Sequence, residues 1–335
     1  MTLSIRSLGL ATGLSLVTTL ATTLATTLAT TLAMTMPSQA DTRITYKSAK
    51  SSSSYYQMGV QIAEAMKAAS NGAIIVTVEE SQGSVQNVME VKARGADYVF
   101  TTPPSLVSLA QDGKAMFEGK ESRKFDNIRA LFPIPSLTMH FVMSKKSGTV
   151  DYAGLAGKKL LLGKGSFGAR EGAKYIKLFG LEGKVDIADA EISNAVAALK
   201  NGQIDGFVTA GSWPAPNVIE AAASTPVVLL SMDGHEVAET KRTRMVIPGG
   251  TYVGQPDDVQ TTSLPVVAYT TMDMDDDTAY LLTKTFWGQV ETMGQTASWW
   301  KGVDDRLMAN ILGEIHAGAV RFYKEVGFPI DKNQD

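Results

Sequence analysis

The segment from residue 194 to residue 222 constrains the fold more than any other part of the chain. It reads NAVAALKNGQIDGFVTAGSWPAPNVIEAA. Its apolar residues first recur at helical spacing, and Asn201 and Gly202 end that helix as a left-handed C-cap. A short apolar run, residues 204–208, predicts a buried strand directly after it. This order is typical of an α/β domain.

Small residues end that strand and open another helix. Thr209 to Ser212 form the predicted turn, and Pro214 and Pro216 lie in the first turn of the helix. Free backbone N–H groups at such a turn face the carboxyl end of a strand, where open α/β sheets bind ligands. Gly211 and Ser212 are therefore candidate ligand-binding residues.

A similar strand-turn-helix unit opens the first half of the chain. Residues 43–47 predict a strand, and a polar loop leads into a helix capped by Ser53 or Ser54. The core face of that helix has a spacing of four, four and three residues: Met58, Ile62, Met66 and Ala69. Candidate contacts at the turn are Ser51, Ser54, Tyr55 and Tyr56. We expect one tyrosine to pack on the helix and the other to face the cleft.

Two further units follow the same pattern. A strand at 73–79 precedes a helix capped by Ser84, whose hydroxyl would accept from the N–H of Asn87. A strand at 97–101 precedes a helix with Thr102 as cap and Pro103 at the first helical position. The helix N-termini then converge on one sheet edge, where they can bind a carboxylate or phosphate. This adds Gly83, Ser84, Asn87 and Thr102 to the candidate site.

Two extended segments predict a hinge. Residues 137–144 read as a crossing strand, and residues 264–270 as its return. Two such crossings let two lobes close over a ligand. His140 lies in the first crossing, and two interpretations remain open for it: a residue lining the hinge side of the pocket, or a hydrogen-bonded residue of the core.

Residues 163–168, GKGSFG, match the dinucleotide-binding fingerprint in its required context. They follow an apolar strand at 159–162, open a helix that extends to about Phe179, and precede Asp186 by about twenty residues. This pattern gives an alternative interpretation, a secreted NAD-dependent oxidoreductase that uses this turn.

Five blocks together resemble the TAXI family, the solute-binding proteins of one class of tripartite ATP-independent periplasmic (TRAP) transporters. The first is LKNGQIDGFVTAG with the proline-punctuated helix after it. The others are SSSYYQMG (52–59), EESQGSVQNV (79–88), IPGGTYVGQ (247–255) and IHAGAVRFYKEVG (315–327). The resemblance covers the chain after residue 42. It implies a two-lobed fold, binding without chemistry, and delivery of the ligand to membrane permease subunits.

The resemblance also suggests further site residues. TAXI proteins carry a glycine- and serine-rich turn at the fingerprint position, here Ser166, Phe167, Gly168 and Ala169. Phe167 and Ala169 replace a serine and a threonine of the family, so this side of the pocket should be more apolar. A ligand carboxylate would lie at this helix N-terminus, with or without Arg170 as ion partner. The block at 247–255 adds Thr251 and Tyr252.

The N-terminus predicts a secretory signal peptide. Arg6 is followed by an apolar, threonine-rich run in which TTLA repeats, and Ser38-Gln39-Ala40 form a small-x-Ala end. A retained transmembrane anchor is the alternative reading of the run. We expect cleavage after Ala40 and a periplasmic mature protein.

Composition argues against several classes of function. The formal net charge is −3 with no basic run, which disfavours nucleic acid as a partner. Zero cysteines exclude disulfides, thiol catalysis and thiolate metal sites. Residues 273–277, DMDDD, lack the glycine and glutamate of a calcium loop and read as an acidic first helical turn. The three histidines have no metal spacing, and no catalytic triad can be argued. His316, Tyr323 and the tryptophans of the C-terminal helices are expected to be structural.

The sequence thus predicts an α/β, type II periplasmic-binding-protein-like fold. The expected ranges are a signal peptide at 1–40, lobe 1 at 41–137, lobe 2 at 138–264, and a return to lobe 1 with C-terminal helices at 265–335. The expected function is capture of a glutamate-like molecule or dicarboxylate by a monomer, with no enzymatic activity, cofactor or metal, for TRAP permease subunits. Besides the oxidoreductase, an adhesin-like surface protein is a further alternative.

Overall fold

The computed structural model describes residues 41–330. The predicted signal peptide therefore lies outside the described residues. The strands are β1 (Thr42–Lys47), β2 (Ile74–Glu79), β3 (Tyr98–Thr102), β4 (Ile128–Ser144), β5 (Lys159–Leu161), β6 (Asp186–Ala188), β7 (Gly206–Gly211), β8 (Val227–Leu229), β9 (Thr243–Ile247) and β10 (Val259–Thr271). The helices are α1 (Ser54–Ala69), α2 (Ser84–Glu90), α3 (Pro104–Gln111), α4 (Phe167–Leu178), α5 (Ala195–Lys200), α6 (Pro216–Ser224), α7 (Gly234–Thr240), α8 (Asp276–Thr296) and α9 (Ala317–Val326).

Two α/β lobes share the long strands β4 and β10. The strand order is β2-β1-β3-β10-β4-β7-β5-β6, with β8 on β4 and β9 on β10. Strands β1, β2 and β3 are parallel in lobe 1, as are β5, β6 and β7 in lobe 2. The antiparallel β4 and β10 join the two sets, which gives the type II binding-protein fold that the sequence predicts.

Strands β4 and β10 change partners where they cross between the lobes. Residues 128–138 of β4 pair with β10, and from Thr138 onward β4 pairs with β7. Strand β10 pairs with β9 up to Ser263 and with β4 from Ser263 onward. Both crossings are longer than the sequence predicted, because burial on both faces supports the strands well before residues 137 and 264.

Helix α1 illustrates how the apolar pattern produces a core. Met58, Ile62 and Met66 are almost fully buried, as their spacing predicts. Ser53 is the N-cap, since its side chain accepts a hydrogen bond from the Tyr56 N–H. Ala69, the last residue of the helix, is exposed. Its assignment to the core face was wrong.

Three predicted boundaries are also corrected. Ser84 is the first residue of α2 and makes no capping bond, because Gly83 is the N-cap and its carbonyl accepts from the Asn87 N–H. Thr102 is the last residue of β3, where Val267 of β10 pairs with it, and Pro103 is the cap of α3. Strand β7 continues to Gly211 beyond the predicted end at 208, because β4 pairs with it up to Thr138.

The C-terminal helices complete lobe 1. Helix α8 begins after Asp275, whose side chain accepts from the Thr278 N–H, so the acidic run is a helix start as predicted. Phe286 of α8 stacks on Phe132 of β4 with ring centroids 3.9 Å apart. His316 caps α9, and Tyr323 donates a hydrogen bond to the Leu131 carbonyl at 2.5 Å. These residues stabilise the lobe, as expected.

Candidate functional site

An interlobe cavity lies at the carboxyl ends of the parallel strands. The cavity has a volume of about 70 Å³. Both lobes and the crossing strands line it: Ser48, Ala49, Lys50, Ser52, Ser53, Tyr55, Gln82, Gly83, Ser84, Thr101, Leu137, Ser166, Phe167, Gly168, Ile192, Val208, Thr209, Ala210, Asn217 and Val266. We refer to it as the interlobe cavity.

Lobe 1 contributes strand ends and helix starts to this cavity. Ser53 lies at the N-terminus of α1, Gly83 and Ser84 at that of α2, and Thr101 near the end of β3. Gly83 has φ 115°, a conformation that favours glycine. A Cβ atom there would also lie 3.9 Å from the Phe167 nitrogen of lobe 2. The two lobes thus approach closely over the cavity.

Asn87 stands behind this wall and holds its strands together. Its Nδ2 donates to the carbonyls of Ser48 at 2.7 Å and Thr101 at 2.9 Å, and lies 3.4 Å from that of Lys47. The residue is fully buried, and its Oδ1 has no hydrogen-bond partner among the described residues. Asn87 does not line the cavity, so its observed contacts are structural.

Lobe 2 contributes the N-terminus of α4. Ser166 caps the helix by accepting from the Ala169 N–H at 3.0 Å. The N–H groups of Phe167 and Gly168 belong to the first turn, where a helix cannot satisfy them internally. A Cβ atom at Gly168 would lie 3.1 Å from the Ala210 Cβ, so glycine lets α4 approach β7. The outcome is an anion-attracting helix end beside the cavity.

A polar pair extends this wall along β7 and α6. Asn217 Nδ2 donates to Thr209 Oγ1 at 3.0 Å, and both residues are buried. Thr209 and Asn217 are not among the predicted site residues, although both lie at the predicted strand-to-helix turn. Their positions would have followed from the rule that α/β sheets bind ligands at strand carboxyl ends.

Tyr55 connects lobe 1 to the crossing strands. It is buried, lines the cavity, and donates a hydrogen bond to the Pro135 carbonyl at 2.9 Å. Tyr56 is half-buried and does not line the cavity. Tyr55 therefore both packs in the core and faces the cleft, whereas the sequence predicts one tyrosine for each role.

Ion pairing closes the rim of the cavity. Lys50 Nζ lies 3.0 Å from Glu191 Oε2, and Gln82 Nε2 donates to Glu191 Oε1 at 3.0 Å. Lys50 and Gln82 belong to lobe 1, and Glu191 belongs to lobe 2. The hydrogen bonds from Lys50 and Gln82 hold the pKa of Glu191 below its usual value. The structure thus has the lobes in contact across the rim.

The lobes also meet next to the hinge. The Ser212 N–H donates to Ser54 Oγ at 2.9 Å, and Ser212 Oγ donates to the Ser136 carbonyl at 2.8 Å. A Cβ atom at Gly211 would lie 2.8 Å from Ser54 Oγ. These three predicted site residues are brought together, but as an interlobe contact outside the cavity lining.

His140 belongs to a buried hydrogen-bond chain. Tyr252 Oη accepts from the Ala215 N–H at 2.8 Å and lies 2.9 Å from His140 Nε2. Nδ1 of His140 lies 3.1 Å from the Thr138 carbonyl. A neutral ring protonated at Nδ1 satisfies all of these contacts. The chain fixes the loop that contains Tyr252 to β4, so the structure favours the core interpretation of His140.

The remaining predicted residues do not line the interlobe cavity. Ser51 is exposed and donates through its N–H and Oγ to Glu80 Oε1. Thr102 is buried within the sheet, and Thr251 Oγ1 donates to the Pro248 carbonyl at 2.6 Å. Ala169 and Arg170 line a separate surface pocket of lobe 2. Of the predicted residues, Tyr55, Gly83, Ser84, Ser166, Phe167 and Gly168 line the interlobe cavity.

Arg170 still lies beside the cavity wall. Its Cζ is 5.5 Å from the centre of the Phe167 ring, which itself lines the cavity. Its Nη2 is buried with no hydrogen-bond partner among the described residues. Burial lowers the pKa of this guanidinium, with Glu171 acting in the opposite direction. The neighbouring Glu171 is already bound by Arg242 at 2.6 Å.

The described part of the chain contains neither a metal-binding cluster nor a helix that could span a membrane. Between residues 41 and 330 there is no cluster of three or more His, Asp or Glu residues that could hold a metal ion. Over the same range, no helix has the length and apolar character needed to cross a membrane.

Two α/β lobes around a cleft define the class of periplasmic binding proteins by fold. The sequence profile of the NMT1-like family matches residues 47–327, and the chain belongs to that family.

Several solved structures have folds similar to that of this chain. One described as a periplasmic transporter has a TM-score of 0.52 at 10% identity, over 87% of this chain and 94% of its own. The aliphatic sulphonate binding protein SsuA from Escherichia coli has a TM-score of 0.48 at 14% identity, over 85% and 83%. A TRAP solute-binding protein from Xanthobacter autotrophicus PY2, with bound β-D-galacturonate, has a TM-score of 0.45 at 14% identity, over 86% and 96%. At these identities the similarity concerns the fold alone.

Proposed function

We propose that this chain is an extracytoplasmic solute-binding protein of the TAXI type. It captures a small carboxylate, either glutamate-like or a dicarboxylate, by lobe closure and delivers it to TRAP permease membrane subunits. Membership of the NMT1-like family and the two-lobed fold support the solute-binding role. The observation that carries the proposal is the interlobe cavity, which both lobes and both crossing strands enclose.

The lining of the cavity supports binding without chemistry. Hydroxyl and amide side chains alternate with apolar ones, and the described lining includes no histidine, carboxylate or cysteine. A serine hydroxyl needs an adjacent general base to act as a nucleophile. The pocket therefore suits reversible recognition, and neither the family nor the fold supports the oxidoreductase alternative.

The electrostatics of the cavity favour an anionic ligand. Helices α1 and α4 both direct their N-termini to it, through Ser53 and Ser166. Helix N-termini carry a partial positive charge and free N–H groups, which suit a carboxylate. Arg170 adds a guanidinium next to Phe167, and its buried Nη2 has no hydrogen-bond partner within residues 41–330. Lys50 is engaged by Glu191 at the rim, so it is not free to neutralise the ligand.

The cellular location of the protein and the boundaries of its lobes are part of the proposed function. We assign residues 1–40 to a cleaved signal peptide and the mature protein to the periplasm, with lobe boundaries near residues 138 and 264. The change of strand partners at Thr138 and Ser263 supports these boundaries. The mature protein would act as a monomer.

The experiment that tests the ligand class is a thermal-shift and calorimetric comparison on the mature chain. Glutamate and succinate serve as probes, because a ligand that binds the folded state raises the melting temperature by mass action. We expect Arg170→Gln to weaken binding about tenfold, or about 1.4 kcal/mol, since the guanidinium behind the Phe167 ring attracts the ligand carboxylate across the cavity wall.

The matched control is Lys164→Gln, which removes an exposed cation of the same turn that is paired with Asp189. It should leave affinity unchanged. If no small carboxylate raises the melting temperature while neutral solutes do, the proposed ligand class is wrong. If both variants weaken binding equally, only the overall charge of lobe 2 matters.

A further inference from the structure

A second cavity lies on the opposite face of the crossing strands. Successive side chains of a strand face opposite sides. In β4, Leu137 lines the interlobe cavity, whereas its neighbours Ser136 and Thr138 line the second cavity. At the end of β7, Ala210 lines the first and Ser212 the second. The hinge therefore runs between the two spaces, and we refer to the second as the rear cavity.

The walls of the rear cavity come from different lobes. Trp213 and Met245 belong to lobe 2. Trp299 and Leu307 belong to the C-terminal segment, which is bound to lobe 1. Gln61 of α1 makes that connection, because its Oε1 accepts from the indole nitrogens of Trp299 at 3.0 Å and of Trp300 at 2.7 Å. A rotation of the lobes must therefore move these two walls relative to each other.

The volumes of the two cavities agree with a rotation of the lobes about a hinge that lies between the cavities. In this structure Glu191 makes its contacts across the rim. The interlobe cavity then has a volume of about 70 Å³, and the rear cavity one of about 480 Å³. Rotation about strands that lie between two clefts opens one cleft as it closes the other. Opening the lobes would bring Trp213 towards Trp299 and bury apolar surface at the rear.

We propose that the rear cavity sets the resting balance between the open and closed lobes. Apolar contact across the rear cavity stabilises the open state, and a ligand must offset this contact before the lobes close over it. Filling the rear cavity blocks the approach of its walls and therefore holds the lobes closed. The inference rests on the lobe closure included in the proposed function, but not on the identity of the ligand.

The test is a wedge substitution measured without any ligand. Gly302 lines the rear cavity and is exposed, and a Cβ atom there would meet nothing within 4 Å. Gly302→Phe therefore adds a ring at the wall of the rear cavity without a clash at its Cβ atom. The matched control is Gly288→Phe, since Gly288 of α8 is also exposed with nothing within 4 Å and lines neither cavity. The chain has no cysteine, so spin labels at Ser51→Cys and Ser193→Cys report the distance across the rim.

We expect Gly302→Phe to shift the distance distribution of the ligand-free protein towards the shorter, closed value. The Gly288→Phe protein should keep the distribution of the parent. Ser298→Phe, on the same wall, serves as a second wedge should the first fail to fold. An unchanged or longer distance in a folded wedge variant overturns the proposal. Because no ligand is added, this failure is distinct from a failure to bind carboxylates.

Discussion

Replacing Asn87 with alanine should lower the free energy of unfolding by about 3 kcal/mol, because the buried carbonyls of Ser48 and Thr101 each lose a hydrogen bond that its side chain donates. The side chain is fully buried, and its Nδ2 serves the carbonyls of Ser48 and Thr101 at the ends of two strands. Losing this donor exposes no group to water, so the desolvation cost of the carbonyls remains. Urea denaturation of the mature protein would measure the loss.

Ser84→Ala is the matched control for that prediction. Ser84 lines the cavity but makes no capping bond, so its removal should change stability by at most about 0.5 kcal/mol. From the sequence, Ser84 and Asn87 are both predicted to contact the ligand. If Asn87→Ala keeps the stability of the parent and loses only ligand affinity, the structural role that we assign to Asn87 is wrong.

Acid should destabilise the protein between about pH 6.5 and pH 4 through His140. Burial lowers the pKa of His140 to about 4 in the folded state, against about 6.5 in an unfolded chain. Below pH 6.5 the unfolded chain binds a proton that the folded one does not, so stability falls until pH reaches about 4. The difference corresponds to about 3 kcal/mol. Above pH 6.5 this contribution is fully present.

The measurement is the free energy of unfolding against pH for the parent and for His140→Gln. Their difference should vary over that window, because the variant lacks the titrating ring. His235→Gln provides the control for the loss of a histidine, since the side chain of His235 is 79% exposed. A constant difference between the parent and His140→Gln from pH 7 to pH 4 would contradict a neutral, buried His140.

Local patterns were enough to predict the first unit of the fold. The spacing of Met58, Ile62 and Met66 defines a face that only a helix presents, and a serine in an extended conformation suits the start of α1. The same reasoning placed a helix start at Ser84, one residue after the observed cap Gly83, and another at the turn 163–168, where Ser166 is the cap. Such features depend on residues that are close in sequence, so the sequence shows them directly.

Long-range contacts set the features that the sequence did not predict. Glu191 closes the rim through Lys50 and Gln82, and no local pattern links residues so distant along the chain. The length of β7 depends on its pairing with β4. Thr209 and Asn217 form a pair only once the strand and helix pack together.

Backbone conformation and packing explain the glycines of the dinucleotide-binding fingerprint at 163–168. Gly163 and Gly165 have φ of 83° and 77°, values that favour glycine in the turn. A Cβ atom at Gly163 would lie 2.8 Å from the Cβ of Ile192, and Gly168 lets α4 approach β7. The glycines are thus explained by the turn and its neighbours, without a dinucleotide.

Small-angle X-ray scattering with and without a small carboxylate tests the central claim most directly. Within residues 41–330 the crossing strands β4 and β10 join the two lobes, so a ligand that contacts both walls of the interlobe cavity should bring the lobes together. We expect saturating glutamate or succinate to reduce the radius of gyration of the mature protein, and NAD to leave it unchanged. Tight binding of a carboxylate with no compaction, or saturable binding of NAD, would contradict capture by lobe closure.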